Sequence, residues 1–392
     1  MFSKLKQLVV YTLSPLLLLS YAGLSSAKEA SDSGPEGWGL LNLPVGVSSL
    51  SRNSYELHMI LLWVCVGIGV VVFGIMFYSM IFHRKSRGHE PATFHESTKV
   101  ELLWTIIPVL ILIALAAPAT TYLVERYDTG EADIDIKITA YQWKWQYEYL
   151  GEDVQFMSEL LTPESAIYGE SPKSEFYLSE VTEPLVLPVG KKIRFLVTAK
   201  DVIHSWWVIE LGVKKDAIPG FVNETWVRID EPGIYRGFCT ELCGKGHAFM
   251  PIVVNAVAED EYSSWLADKK VAVAAERELA KKVFTLDELM ARGEAAYNRS
   301  CASCHMGNGE GVPGAFPALK ASPIALGSVK THLDVMVNGV AGTAMQAFGG
   351  QLSEVDLAAI ITYERNAWGN DAGDDPDKIV QPVDVLKFKQ GQ

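Results

Sequence analysis

Four of the five cysteines fall into two tight pairs, Cys239 with Cys243 (C-x3-C) and Cys301 with Cys304 (C-x2-C). Structural disulfides usually join residues distant in sequence, so close pairs point first to metal or cofactor chemistry. Around the first pair the chain reads Cys239-Thr240-Glu241-Leu242-Cys243-Gly244-Lys245-Gly246-His247-Ala248-Phe249-Met250, and Asp201-Val202-Ile203-His204 supplies a second imidazole from an earlier strand end. Two thiolates, two imidazoles and a thioether form a soft ligand set, suited to copper cycling between two oxidation states or to zinc without redox. Met250 favours copper, because zinc takes Cys, His and carboxylate. A mononuclear blue-copper site uses one Cys, two His and a weak Met, and this cluster has one Cys more. Two thiolates bridging two copper ions, each ion keeping one histidine, use the ligands without remainder. A Cys239–Cys243 disulfide is the alternative, and it leaves His204, His247 and Met250 unexplained. The fifth cysteine, Cys65, lies in an apolar run where a thiol behaves as a small hydrophobe.

The second pair belongs to Cys301-Ala302-Ser303-Cys304-His305, the c-type haem attachment motif. In such a site the thiols add across the haem vinyl groups and the neighbouring imidazole becomes an axial ligand of iron. A zinc site or a redox dithiol is the competing reading. The flanks resemble a cytochrome c. Gly293 and Tyr297 share one face of a predicted helix before the motif. A predicted helix over Leu352 to Asn366 resembles the terminal helix that crosses the first, with Gly293 permitting the close approach. Pro317 resembles the proline whose carbonyl accepts the N–H of the axial histidine. For the sixth ligand His332, Met336 and Met345 qualify by position. Met345 sits in a loop before the last helix, as the ligand does in that family, whereas Met336 lies in a mostly apolar run and reads as core.

These sites need elements to hold them on the correct side of a membrane. Met1 to Ala27 has Lys4 and Lys6, an apolar run from Leu8 to Leu19, and small residues at Ser25-Ser26-Ala27, the pattern of a signal peptide. An uncleaved first span is the alternative. After an N-terminal segment over 28–57, two uncharged runs, His58 to Phe82 and Leu102 to Leu123, exceed the roughly 18 residues that mark a membrane span. The loop 83–101 between them carries Arg84, Lys85, Arg87 and Lys99 against Glu90, Glu96 and Glu101, which places the loop in the cytoplasm and the chain beyond the second span outside. From 132 to 265 short alternating runs, such as Ile134 to Ile138 and Ile193 to Val197, predict a β-sandwich or barrel. A charged, Ala-rich linker over 266–284 that is expected to run on as a helix, an all-α domain over 285–370 and a tail over 371–392 complete the chain.

A resemblance now becomes specific. The Cys239–Met250 segment, His204-Ser205-Trp206, Tyr141-Gln142-Trp143-Lys144-Trp145, and Lys99 to Pro108 with Glu101 and Trp104 are similar to subunit II of cytochrome c oxidase, over roughly Ser54 to Ala258. The resemblance implies a multidomain membrane protein: a two-helix transmembrane hairpin, an all-β cupredoxin-like copper domain and, fused to it, an all-α class I cytochrome c domain. It implies a dinuclear copper centre on His204, Cys239, Cys243, His247, Met250 and the Glu241 carbonyl, with the Glu241 carboxylate on a magnesium ion shared with subunit I. Trp143 resembles the aromatic through which electrons arrive; a core or rim tryptophan is the plain alternative, and Lys144 stands where the family more often has tyrosine. Glu101 resembles the acid at the mouth of a proton channel, although an acid there is also an ordinary last solvated residue before lipid. The related quinol oxidases lack the copper ligands, so these residues imply a cytochrome c route. The implied partners are oxidase subunits I and III, a c-type cytochrome or cytochrome bc complex as donor, and the lipid of a bacterial inner membrane.

A net charge of −13 argues against nucleic acid and favours a basic partner surface. The function so implied is electron delivery from haem c through copper to the oxygen-reducing site of subunit I, coupled to proton translocation. A periplasmic, membrane-anchored electron carrier feeding another reductase is the alternative; a free carrier would need neither the hairpin nor Glu101.

Overall fold

Residues 58–82 carry no charged side chain, and they form the greater part of α1 (Ser49–Phe82). The second apolar run lies within α2 (Thr98–Tyr127), which accommodates Pro108 and Pro118 as helices in lipid commonly do. The coordinates are a computed structural model that describes residues 42–90, 92–373 and 378–391; the expected signal peptide lies outside the described residues. Large apolar side chains point outward along both helices, Ile75 at 64% and Leu112 at 66% exposure among them, a surface suited to lipid or an apolar partner.

Helix α1 begins nine residues before the expected span. Ser48 caps it: its Oγ accepts from Ser51 N at 3.0 Å while Ser51 Oγ accepts from Ser48 N at 3.1 Å, a reciprocal arrangement that satisfies two orphan amides. Ser48 Oγ also donates to Leu211 O at 2.7 Å, and Leu50 is buried. At about 1.5 Å per residue α1 is about 51 Å long, against a hydrocarbon layer of about 30 Å. Its first turns therefore stand clear of lipid. The outer end of α2 is held in the same place. Arg126 donates to Gly212 O at 2.9 Å and Ser54 Oγ at 2.8 Å, Asn53 donates to Glu125 Oε2 at 2.7 Å, and Trp226 Nε1 donates to Glu125 O at 3.0 Å.

Ten strands follow: β1 (Ile134–Tyr141), β2 (Lys144–Tyr149), β3 (Val154–Ser158), β4 (Leu185–Pro188), β5 (Lys192–Ala199), β6 (His204–Val208), β7 (Val213–Ala217), β8 (Asn223–Arg228), β9 (Gly233–Cys239) and β10 (Pro251–Val257). They form two five-stranded sheets, ordered β3-β2-β1-β5-β8 and β4-β10-β9-β6-β7. Strict alternation along β5, half-buried then buried, gives that sheet one inward face. Across the core Phe195 meets Trp206 with ring centroids 5.2 Å apart, Trp206 Nε1 donates to Tyr147 OH at 3.3 Å, and Tyr149 OH donates to Val186 O at 2.8 Å. Burial drives the Tyr147 hydroxyl well above its ordinary value, which keeps it neutral in this core.

Helix α3 (Glu259–Leu279) runs through the boundary the sequence suggests at 265, so most of the expected linker is helical. In the C-terminal unit Thr285 and Glu288 make a second capping box for α4 (Leu286–Ser300). Then come a single helical turn, Ala302–His305, and α5 (Val329–Asn338), α6 (Glu354–Asn366) and α7 (Pro382–Lys389). Tyr297, Leu333, Met336, Ile360 and Ile361 share one core with Val380 and Val385. The segment after 370, read from sequence as a tail, thus adds α7 to that core; two valines in a short run carry too little periodicity to announce it.

Candidate metal centres

The ends of β6 and β9, with the loop after β9, bring the soft ligands together. His204 opens β6 and Cys239 closes β9; Trp206 pairs with Cys239 across the two strands. The loop then turns through Gly244 and a 3-10 turn, His247–Phe249, before β10. Cys239 Sγ lies 3.8 Å from Cys243 Sγ, 3.9 Å from His204 Nδ1 and 3.4 Å from the Glu241 carbonyl oxygen. Cys243 Sγ lies 3.5 Å from His247 Nδ1. The two sulfurs are free thiols, not a disulfide. Met250 is buried, and its carbonyl accepts from Cys239 N at 3.1 Å.

These spacings suit metal ions. Metal–sulfur and metal–imidazole bonds of about 2.3 and about 2.0 Å, meeting at a tetrahedral angle, put the two donor atoms about 3.5 Å apart. His204, Cys239 and Cys243 have donor atoms all within 4.8 Å of one another, and His247 is not in that group although it adjoins Cys243. Each thiol therefore has an imidazole of its own. The Cys243 thiol donates towards Cys239 and lowers the Cys239 pKa to about 3, while Cys243 itself is driven up by sharing that proton and by burial. Burial opposes a charge on His204, but the Asp201 carboxylate and Cys239 together more than offset it and hold its pKa above the ordinary histidine value.

Beside the cluster Gln142 and Trp143 form the two-residue turn between β1 and β2, where Tyr141 pairs with Lys144. Trp143 Nε1 donates to Cys243 O at 3.1 Å, and Gln142 Nε2 donates to the same oxygen at 2.8 Å. The indole lies flat on the loop: a Cβ on Gly246 would stand 2.3 Å from Trp143 Cδ2. Lys144 is buried, with Nζ 3.3 Å from Glu159 Oε1. The Asp201 carboxylate touches both His204 and this turn; its place three residues before His204 is the sequence signal for that role.

In the C-terminal unit Cys301 closes α4, and Cys304 and His305 lie on the following turn. His305 Nδ1 is 2.9 Å from Pro317 O, a contact that fixes the ring and leaves Nε2 as the nitrogen open to a metal. Cys301, which caps that turn, thus lies close in the chain to Cys304 and His305. Tyr297 OH donates to Met306 O at 2.8 Å and Trp368 Nε1 to Gly307 O at 2.9 Å, so the loop after the motif is tied to the helical core. Of the candidate sixth ligands, Met336 is buried at 2% exposure, and His332 Nε2 is 2.8 Å from Glu364 Oε2 with both side chains 3% exposed. Met345 is half-buried in the loop between α5 and α6. Glu101 is exposed in the first turn of α2 and accepts from Ser97 N at 3.3 Å, while the exposed Glu241 lies between the two copper-loop cysteines.

Comparison with known proteins bears on both units. Residues 134–257 match the periplasmic domain of cytochrome c oxidase subunit II, residues 35–121 match its transmembrane domain, and residues 288–363 match the subunit III family of cbb3-type cytochrome c oxidase. A probable cytochrome c oxidase subunit 2 from Rickettsia bellii is 37% identical over 228 residues, 58% of this chain and 83% of the relative. The chain belongs to the cytochrome c oxidase subunit II family. Subunit 2 from Cereibacter sphaeroides is 36% identical over 233 residues, 56% of this chain and 77% of that one. The crystal structure of the periplasmic domain of subunit II from Bradyrhizobium japonicum is 39% identical and covers 37% of this chain and 99% of that one, with a TM-score of 0.33.

Membership settles the coarse function. The chain is an electron-transfer subunit of a haem–copper oxidase, membrane-anchored, with a cupredoxin-like copper domain outside the lipid and a cytochrome c domain fused behind it. It works in association with other oxidase subunits. A free carrier has no use for the hairpin that matches the family's transmembrane domain.

Proposed function

We propose that the chain holds two copper ions and one covalent haem c, and that electrons pass from the haem to the copper pair and on to the oxygen-reducing subunit. One observation carries the two-copper reading: Cys239 has His204 as its imidazole neighbour and Cys243 has His247, at 3.9 and 3.5 Å. A single ion would gather all four donors about one point. Met250 and the Glu241 carbonyl would complete the ligand set. Cys301 and Cys304 would hold the haem, with His305 and Met345 as axial ligands. Both groups supply one-electron redox chemistry when bound. The protein's part is to hold the ligands rigidly so that little geometry changes on transfer.

Around these centres Trp143 receives electrons through its bond to the Cys243 carbonyl, and the Glu241 carboxylate faces a magnesium ion shared with subunit I. Glu101 serves the mouth of a proton channel. The donor is a c-type cytochrome or a cytochrome bc complex, subunit III is a further neighbour, and the membrane is a bacterial inner membrane with the two redox domains on its outer side. Metal analysis and a visible and near-infrared spectrum of the purified full chain test the cofactor assignment together. Two copper atoms and one haem per chain are expected, with the near-infrared absorption of a thiolate-bridged copper pair. One copper per chain, or zinc in its place, would rule it out.

A further inference from the structure

Asp201 lies just past β5 and stands three residues before His204. Its side chain is 15% exposed and takes part in three hydrogen bonds, two to the stretch that follows it and one to the β1–β2 turn. His204 Nε2 is 2.9 Å from Oδ1, Val202 N donates to Oδ1 at 2.7 Å, and Gln142 N donates to Oδ2 at 2.6 Å. Gln142 and Trp143 in turn both donate to the Cys243 carbonyl. One carboxylate therefore touches the imidazole at one end of the thiol cluster directly, and reaches the backbone carbonyl of Cys243 through the tryptophan turn.

We infer that Asp201 is a positioning residue that couples the Trp143 turn to the copper ligand His204, setting the ring's tautomer and the centre's potential at once. The inference rests on the copper reading proposed above. With Nε2–H given to Asp201, the lone pair of Nδ1 faces Cys239, the form in which histidine binds a metal. A carboxylate behind a ligating imidazole raises its basicity and so stabilises the more positive, oxidised centre. The same carboxylate pins the backbone amide of Gln142, and with it the height of the indole above the Cys239–Met250 loop. Removing Asp201 should therefore change two observables, the potential of the centre and the rate at which a donor reduces it.

Two variants in the assembled oxidase separate these roles from plain support of the fold. Asp201→Asn keeps an oxygen acceptor for Gln142 N and removes the charge. Two copper atoms per chain should be retained, and the midpoint potential should rise by about tenfold in the reduction equilibrium, about 59 mV for one electron. Asp201→Ala removes the acceptor as well, and stopped-flow reduction by ferrous cytochrome c should slow at least tenfold. An Asp201→Asn centre with the wild-type potential and near-infrared spectrum overturns the inference, whether or not the alanine variant folds. Absence of two copper atoms or of the near-infrared absorption in the wild-type chain is a different failure: it removes the copper reading, and this inference with it.

Discussion

Gly293 of α4 lies so close to Ala359 of α6 that a methyl group on it would stand 2.2 Å from the Ala359 carbonyl oxygen and 2.7 Å from Tyr363 Cβ. The obstacle is backbone, which cannot swing aside as a flexible side chain can. Gly293→Ala gains up to about 1 kcal/mol of helix propensity, but it forces the two helices apart at a cost of roughly 1–3 kcal/mol or more. The net expectation is a lower unfolding temperature for the C-terminal domain, followed through its haem absorption. A variant as stable as the parent would mean the helices do not cross here.

Replacing Cys243 by Ser removes one bridging sulfur and leaves Cys239 beside His204. The near-infrared absorption of the copper pair should vanish while the haem spectrum persists. Met250→Leu should be milder, keeping copper and shifting its potential, because a thioether is a weak ligand. Full near-infrared intensity in the Cys243→Ser protein would contradict the bridging assignment.

Met345 and Met336 make a contrasting pair. Met345→Ala should leave the haem covalently attached but abolish the sulfur-to-iron charge-transfer absorption of the oxidised form. Met336, buried in the core, should do the opposite: its change to Ala costs about 2–5 kcal/mol of stability and leaves that absorption in place. An exchange of the two results would reassign the ligand.

Glu354 at the start of α6 and Lys389 at the end of α7 approach to 2.8 Å, about a quarter exposed. Burial pushes the Glu354 carboxyl upward, but the Lys389 ammonium and a backbone hydrogen bond outweigh it and leave its pKa below the ordinary glutamate value. A depressed acid stabilises the fold above its unfolded pKa, about 4.3, and that share is lost as the pH falls through the folded value. Thermal unfolding of the C-terminal domain in the full chain and in Lys389→Met should therefore differ at pH 7 and converge as the pH falls below about 4.3. A gap of constant size from neutral to acid pH would show that the ion pair is not its source.

Local patterns were the legible ones. The Cys301–His305 motif, the copper-loop cysteines and the two uncharged runs each lie within one short stretch, and so do the α6 limits, read as 352–366 and observed as 354–366. Gly293 and Tyr297, four residues on, share a helix face, and that local pattern marks the glycine as a crossing point. What escaped was set by partners far along the chain. The Asp201 bond to Gln142 spans 59 residues, the Ser48 bond to Leu211 that anchors the upstream turns of α1 spans 163, and α7 gains its place by packing on α6 and α5. The parallel pairings of β1 with β5 and β4 with β10 are equally invisible to a period-two pattern, which reports a face and not a neighbour.

The outer ends of α1 and α2 are bolted to the β domain by Ser48, Glu125 and Arg126, and to each other through Asn53 and Ser54. A copper domain on a loose stalk would rock against the bilayer, and its spacing from a redox group in a neighbouring subunit would vary with every tilt. Electron tunnelling weakens steeply with distance, so the fastest jumps would then wait on chance approaches. Two stiff masts fastened at the deck give the domain a constant standoff instead. The onward jump thus has a fixed gap, and its pace is set by architecture rather than by diffusion.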